Sequence, residues 1–334
     1  MVILLNQNMI NMKKIYQGSL SILFFLSLSF SLVAQNSFFT PKSEAAISLT
    51  NNSKRVIIPN KYNTIQADIN QLKNFLWSLP AEKNVGNRNT APIMELPMPD
   101  GSMAKFHVWE SSIMEPGLEA KFPEMRTFAG QGITDPYATI RFDYNPYFGF
   151  SAQILSVVTG RVFIDAYARG DVNNYMSYYA RDVNRSGDFV CDVKDNARNN
   201  PNPANIVAAG PCRGTQLFTY RLALACTGEY AVAVAGPTPT VPAVAAAMLT
   251  AVNRVTGVYE KETSIRMVLV ANNNNLIYLN GATDPYTNSN IGAMVDQNIT
   301  NCNAVIGAAN YDIGHVFATS LGGAAYLEIG RAHV

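Results

Sequence analysis

Histidine is nearly absent: the chain has three in 334 residues, at His107, His315 and His333. None has a second histidine four residues away, and none is followed by glutamate. A metal helix of the H-E-x-x-H kind needs two imidazoles one turn apart on one face, so these residues cannot build one. The alternating sequence around His107 and around His315 reads instead as strand, with a structural histidine in each. No Ser-His-Asp pattern stands out. "GPCRG" (210–214) lacks the flanking strand and helix of a phosphate loop. Charge is also scarce, at 15% of residues with a net charge of +1 and no Lys/Arg run. Nothing therefore points to a nucleic-acid partner or an anionic surface. Cysteine occurs four times, at Cys191, Cys212, Cys226 and Cys302.

What is present begins with an export signal. "MKKIYQGSLSILFFLSLSFSLVAQN" starts at Met12, which is the expected true start. Lys13 and Lys14 form a positive n-region, Leu20 to Val33 an apolar core, and cleavage is expected near Ala34. The run is too short and too Ser-interrupted for a stable membrane span, and no second segment reads as one. Residues 1–34 are thus a signal peptide and the mature protein is secreted. In an oxidising compartment the cysteines could pair, with connectivity left open by sequence.

With 48% hydrophobic residues the rest can pack a core, and its length suits two domains. Residues 35–181 read as a β-rich domain. After a helical rhythm over Ile65 to Leu79, "KFHVWES", "YATIRFDY", "FGFSAQILSV" and "GRVFIDAY" alternate apolar and polar residues between Gly, Pro, Asn and Asp turns. Residues 182–214, rich in Asn, Pro, Ala and Gly, read as a linker. Residues 215–327 change class. "QLFTYRLALACTG" reads as a strand, and Thr240 caps a helix with Pro242 in its first turn. That helix carries Val244, Met248, Val252, Val255 and Tyr259 on one face. "SIRMVLVANNNNLIYLN" reads as one long strand with a bulge at the asparagines. A second helix, about 290–309, carries Ile291, Met294, Val295, Ile299, Cys302 and Val305; "YDIGHVFAT" and "GGAAYL" read as two more strands. No internal repeat is visible.

"TYRLALACTGEYA", "AVNRVTGVYEKE", "IRMVLVANNNNLIYLN", "YDIGHVFAT" and "GGAAYL", in that order, resemble the reprolysin-like zinc metallopeptidases. These are metzincins of the adamalysin type, and the likeness is to their bacterial secreted branch. The β-rich segment resembles the propeptide ahead of that domain. The resemblance implies an α+β chain: an antiparallel β-rich propeptide domain, then the first part of an α/β metzincin-like catalytic domain. It implies a zymogen that hydrolyses peptide bonds in protein or peptide substrates. Its zinc would be held by three histidines of an H-E-x-x-H-x-x-G-x-x-H helix, with the glutamate as general base. That helix is missing, so no catalytic or metal residue is assigned here, and this chain by itself is expected to bind no zinc and to be inactive. In the family "GGAAYL" is an edge strand at the rim of the cleft, where Gly322, Gly323 and Ala324 would let a substrate backbone approach.

The family's zinc helix lies further on, so a truncated reading is expected at about Leu327. Glu328 to Val334 ("EIGRAHV"), written in codons and followed by a stop, matches one frame of a common sequencing-library adapter. These seven residues are therefore expected to be an artefact. The alternative reading is a non-enzymatic secreted β-rich binding or adhesion protein. Family propeptides often carry a cysteine whose thiolate occupies the open zinc position. Cys191 is the favoured inhibitory cysteine and Cys212 the second candidate, while Cys226 and Cys302 read as core residues. In a complete zymogen, Cys191→Ser should leave zinc in place and raise peptidase activity before the linker is cut. Unchanged latency in a fluorogenic-peptide assay would eliminate the switch at this position.

Overall fold

The computed structural model describes residues 38–49, 53–184, 216–320 and 322–325. The expected export signal, Cys191, Cys212, almost all of the 182–214 segment and Glu328 to Val334 lie outside the described residues. The α+β class holds: one antiparallel sheet of nine strands and one parallel sheet of three share a long helix.

The antiparallel sheet is built from β1 (Phe39–Pro41), β2 (Asn63–Ala67), β3 (Ile93–Pro97), β4 (Met103–Glu110), β5 (Arg126–Gly132), β6 (Thr139–Asn145), β7 (Gly149–Ser156), β8 (Gly160–Ala166) and β9 (Asn174–Tyr179). Its order is β1-β2-β9-β8-β7-β6-β5-β4-β3. From β3 to β9 it is a meander, which short polar turns and strict alternation favour. The sheet curls, and residues of β1, β2 and β3 join one core with Phe106, Phe128, Phe142, Phe150 and Tyr175. Asn63 Nδ2 donates to the Met98 carbonyl at 3.3 Å, joining the two ends.

Helix α1 (Ile69–Ser78) fills the curl with Leu72 and Leu76, and Asp68 caps it by accepting from Gln71 N at 3.0 Å. The helical rhythm expected from Ile65 thus begins four residues late. Ile65 to Ala67 are strand because β2 is claimed on both sides, by β1 and by β9. Gly149 is required where it stands: its φ is +71°, and a Cβ there would lie 2.3 Å from the Tyr175 hydroxyl. That hydroxyl accepts from Phe150 N and donates to the Val172 carbonyl.

A one-turn helix α2 (Pro116–Glu119) follows β4. After the antiparallel sheet come β10 (Phe218–Cys226), α3 (Gly228–Ala235), α4 (Val241–Thr263), β11 (Ile265–Leu269), α5 (Ile291–Val305) and β12 (Ile313–Phe317). Strands β11-β10-β12 form a parallel sheet. Thr240 caps α4 by accepting from Ala243 N, with Pro242 in the first turn, as expected. Helix α3 was not foreseen. It starts at Thr227, whose hydroxyl accepts from Tyr230 N, and stops at Gly236 with φ +92°.

The long strand expected from Ser264 ends at Leu269. Asn273 ends it: its Oδ1 accepts from Leu224 N at 2.7 Å and its Nδ2 donates to the Leu224 carbonyl at 3.0 Å. A side-chain amide thus takes the backbone groups that a continuing strand would take. "GGAAYL" is likewise not a strand over its described residues 322–325.

By length and composition alone helix α4 would pass for a membrane span, with mean hydropathy 1.4 over 18 of its residues, a segment the sequence reading did not single out. Here its apolarity serves a core. Val244, Met248, Leu249 and Val252 pack on Leu222, Leu224, Met267 and Leu269 of the parallel sheet. Val255 and Tyr259, expected on the buried face, are exposed. The buried stripe continues instead through Asn253, Thr256 and Gly257, because the helix turns a second side to the outer face of β6 and β7. Gly257 lies against Arg141, where a Cβ would sit 2.8 Å from Arg141 Cγ. Alanine would gain about 1 kcal/mol of helix propensity there, but overpacking costs about 1–3 kcal/mol. Gly257→Ala should therefore destabilise the chain by about 1 kcal/mol net in chemical denaturation. A stabilised variant would show that Arg141 gives way freely.

Candidate functional site

Parallel sheets present their functional groups at the carboxyl ends of the strands. At that end of β10, Thr227 Oγ1 and Asn288 Oδ1 lie 3.2 Å apart, and Gly228 N donates to Asp284 Oδ2 at 2.7 Å. Asn288 also links to Thr319 through two hydrogen bonds, so the turns after β10 and β12 are tied together. Phe317, the last residue of β12, packs its ring on Tyr230 at 5.2 Å.

The two edges of the sheet differ. The β11 edge is covered: Leu269 N donates to the Ile113 carbonyl at 2.8 Å, and Glu115 N donates to the Leu269 carbonyl at 2.9 Å. The segment ahead of α2 thereby adds itself to the sheet. Glu115 Oε2 accepts from Ala271 N, and Lys121 Nζ donates to the Ala271 carbonyl and to the Asn272 and Asn274 side chains. The β12 edge has no strand beside it among the described residues. It opens onto a groove of about 500 Å³ between α5, β12 and residues 318–325. Ile291, Met294, Val295 and Ile299 line it from the helix, and Gly322, Gly323 and Ala324 line it as well.

Apolar side chains of this layer reach solvent: Ile299 is 45% exposed and Ile313 36% in the groove, and Val305 37% at the end of α5. Ile299 and Val305 were expected on the buried face of α5. That face is held partly by amides instead. Tyr286 donates to Asn298, Asn301 donates to Tyr286, and Tyr278 donates to Asn301, each within 3 Å. The polar letters Asn298 and Asn301 gave no sequence signal of burial, because only their mutual bonding makes them interior residues.

The groups with metal-binding chemistry do not converge. His107 lies on β4 in the antiparallel sheet with Nδ1 2.7 Å from the Ala91 carbonyl. His315 lies on β12 beside Phe317, with ring centroids 5.4 Å apart. Cys226 and Cys302 are free and buried, on opposite faces of the parallel sheet. Among the described residues no three His, Cys, Asp or Glu side chains are gathered as a metal would require. The described donor set therefore does not fit a zinc site.

Residues 245–333 match the model of the reprolysin-like metallopeptidase family M12B. The match begins inside α4 and runs through α5, β12 and the residues around the groove, and it continues into the terminal segment. Strand β10, part of the sequence resemblance, lies ahead of it. This stretch is reprolysin-like, which supports the resemblance read from the sequence. No curated protein matches the chain.

Burial pushes the Cys226 thiol up to about 12 and the Cys302 thiol to about 11. Thiolate is the reactive form. At pH 8 iodoacetamide should therefore leave both residues unmodified in the native chain for hours and modify them readily in denaturant. Peptide mapping of the two sites checks this, and rapid native labelling of either would contradict the packing described.

Proposed function

We propose, from the reprolysin-like character of residues 245–333, that this chain is the N-terminal part of a secreted zinc metalloendopeptidase made as a zymogen. The observation that carries the reading is where the match falls. It covers the flanking helices and both outer strands of a parallel sheet, one edge of which, unpaired among the described residues, borders a largely apolar groove. An unpaired strand edge can hold an extended peptide by backbone hydrogen bonds, and small residues opposite it allow close approach. On this reading protein or peptide substrates lie along β12, with Gly322, Gly323 and Ala324 at the rim. The antiparallel sheet is the propeptide, and residues 182–214 are the segment cut on activation, with Cys191 as the inhibitory thiol. Zinc belongs to the complete gene product, and its ligands come from sequence that follows. On this reading the chain as written, whose sequence carries no H-E-x-x-H, is expected to hydrolyse no peptide.

Amplifying the locus from genomic DNA and sequencing it with long reads tests the proposal. The frame should continue past Leu327 without "EIGRAHV" and reach an H-E-x-x-H-x-x-G-x-x-H helix followed by a Met-containing turn. The present chain, purified and dialysed, should hold well below one zinc per molecule. A genomic "EIGRAHV" followed by a stop codon would remove the peptidase reading and favour a binding or adhesion protein.

A further inference from the structure

The seam between the antiparallel sheet and α4 is polar, and its charges do not balance. Asp143 of β6 sits opposite Ser151 of β7, and Ser151 Oγ donates to Asp165 Oδ1 of β8 at 3.3 Å. Two carboxylates and a hydroxyl thus form one row across three strands on the outer face of the sheet. Helix α4 meets this row with a single cation. Arg254 donates to Asp165 Oδ1 at 2.5 Å, and its guanidinium lies over the Phe163 ring at 5.1 Å. Thr250 Oγ1 pairs with Asp143 Oδ2 at 2.7 Å, and Asn253 Nδ2 donates to the Phe142 carbonyl at 2.9 Å. From β9, Tyr178 donates its hydroxyl proton to Asp165 Oδ2 at 2.6 Å. The neighbouring charges along the seam, Arg141, Glu260, Arg266 and Glu82, form their own network, which Arg88 joins through Glu82. The cations of that network are paired with its own carboxylates, and Arg169, which lines the cleft beside the row, donates to the Ala233 carbonyl; among the described residues Arg254 is the cation bonded to the row.

We propose that this row of two carboxylates against one arginine makes the docking of α4 on the antiparallel sheet pH-dependent: the seam is held closed while Asp143 keeps its proton and loosens when the proton is lost. The inference concerns the two halves of this chain and does not rest on the peptidase reading.

Asp143 is 1% exposed. Removal from water pushes its pKa up to about 7, against the pull of Thr250 and Arg254 toward the charged form. A carboxylic acid can donate its proton across such a seam, whereas a carboxylate there must be desolvated without a full counter-charge. The sign follows from linkage. The docked value lies above the ordinary 3.8, so docking is most favoured below that pH and is progressively lost as pH rises to about 7. A cleft of about 330 Å³ lined by Val56, Ile57, Phe148, Asp165, Thr250 and Arg254 borders the row. It brings solvent to the edge of the seam.

The test is hydrogen exchange of the α4 amides in the full chain, comparing the wild type with Asp143→Asn at each pH so that intrinsic exchange cancels. Asn keeps the shape and the Thr250 bond but cannot ionise. The ratio of wild-type to variant exchange should rise about tenfold per pH unit from about pH 5 to 6.5 and flatten near 7. Thr250→Val removes the hydroxyl that supports the ionised form, so in that variant the flattening should move to higher pH. It decides the matter alone if Asp143→Asn fails to fold. Parallel pH profiles for wild type and Asp143→Asn, or an unmoved profile in Thr250→Val, would overturn the proposal.

Discussion

Helix α4 has two buried sides, and most of the architecture follows from that constraint. One side is aliphatic and seats on β10 and β11; the other is polar and seats on the outer face of β6 and β7. A helix buried on one stripe can be apolar there and charged elsewhere. A helix buried on two sides needs polar partners on the second side. Asn253 Nδ2, Thr250, Arg254 and Glu260 pair with Phe142, Asp143, Asp165 and Arg141 respectively, while Asn253 Oδ1, Arg254 Nε and Thr256 Oγ1 are buried without a partner. The helix therefore fixes the distance and angle between two sheets that share no strand.

The ion network beside it belongs to the same constraint. Arg141 is 4% exposed and donates to Glu260 and to the Ser111 carbonyl and hydroxyl, while Arg266 joins Glu260 to Glu82. Desolvating such a network costs about as much as its attraction returns, so its contribution to net stability is small. Its geometry is demanding, however. Four side chains from four separate segments must meet, and a shifted helix would leave a buried charge unpaired. The network thus selects one docking register, and the aliphatic side supplies the driving force.

The edges of the parallel sheet complete the picture. Ile113 to Glu115 cover β11 with backbone hydrogen bonds, so the β-rich part closes the edge remote from the groove. Strand β12 lines a largely apolar groove together with Ile299 and Gly322 to Ala324. The part of the chain read as a propeptide thus grips the layer through α4 and β11 and leaves the β12 side uncovered among the described residues. An exposed strand edge next to apolar side chains is a surface that another backbone can join.

Local chemistry was legible in the letters. Strands β4 to β8 show in their letters the two-residue period of a sheet with one apolar and one polar face, and Thr240 with Pro242 marks the start of α4, because alternation and capping depend only on near neighbours. The scarcity and spacing of the three histidines likewise ruled out an H-E-x-x-H helix before any fold was known. What the sequence could not supply were distant partners. Ile65 became strand because β1 and β9 flank it, and the long strand broke at Leu269 because Asn273 bonds Leu224, 49 positions away. Asn298 and Asn301 became interior residues through Tyr286 and Tyr278. Asp143 and Arg254 acquired their roles only when two sheets closed on one helix. A residue's period and cap are written beside it in the chain, but its burial and its counter-charge are set by groups that only tertiary folding brings near.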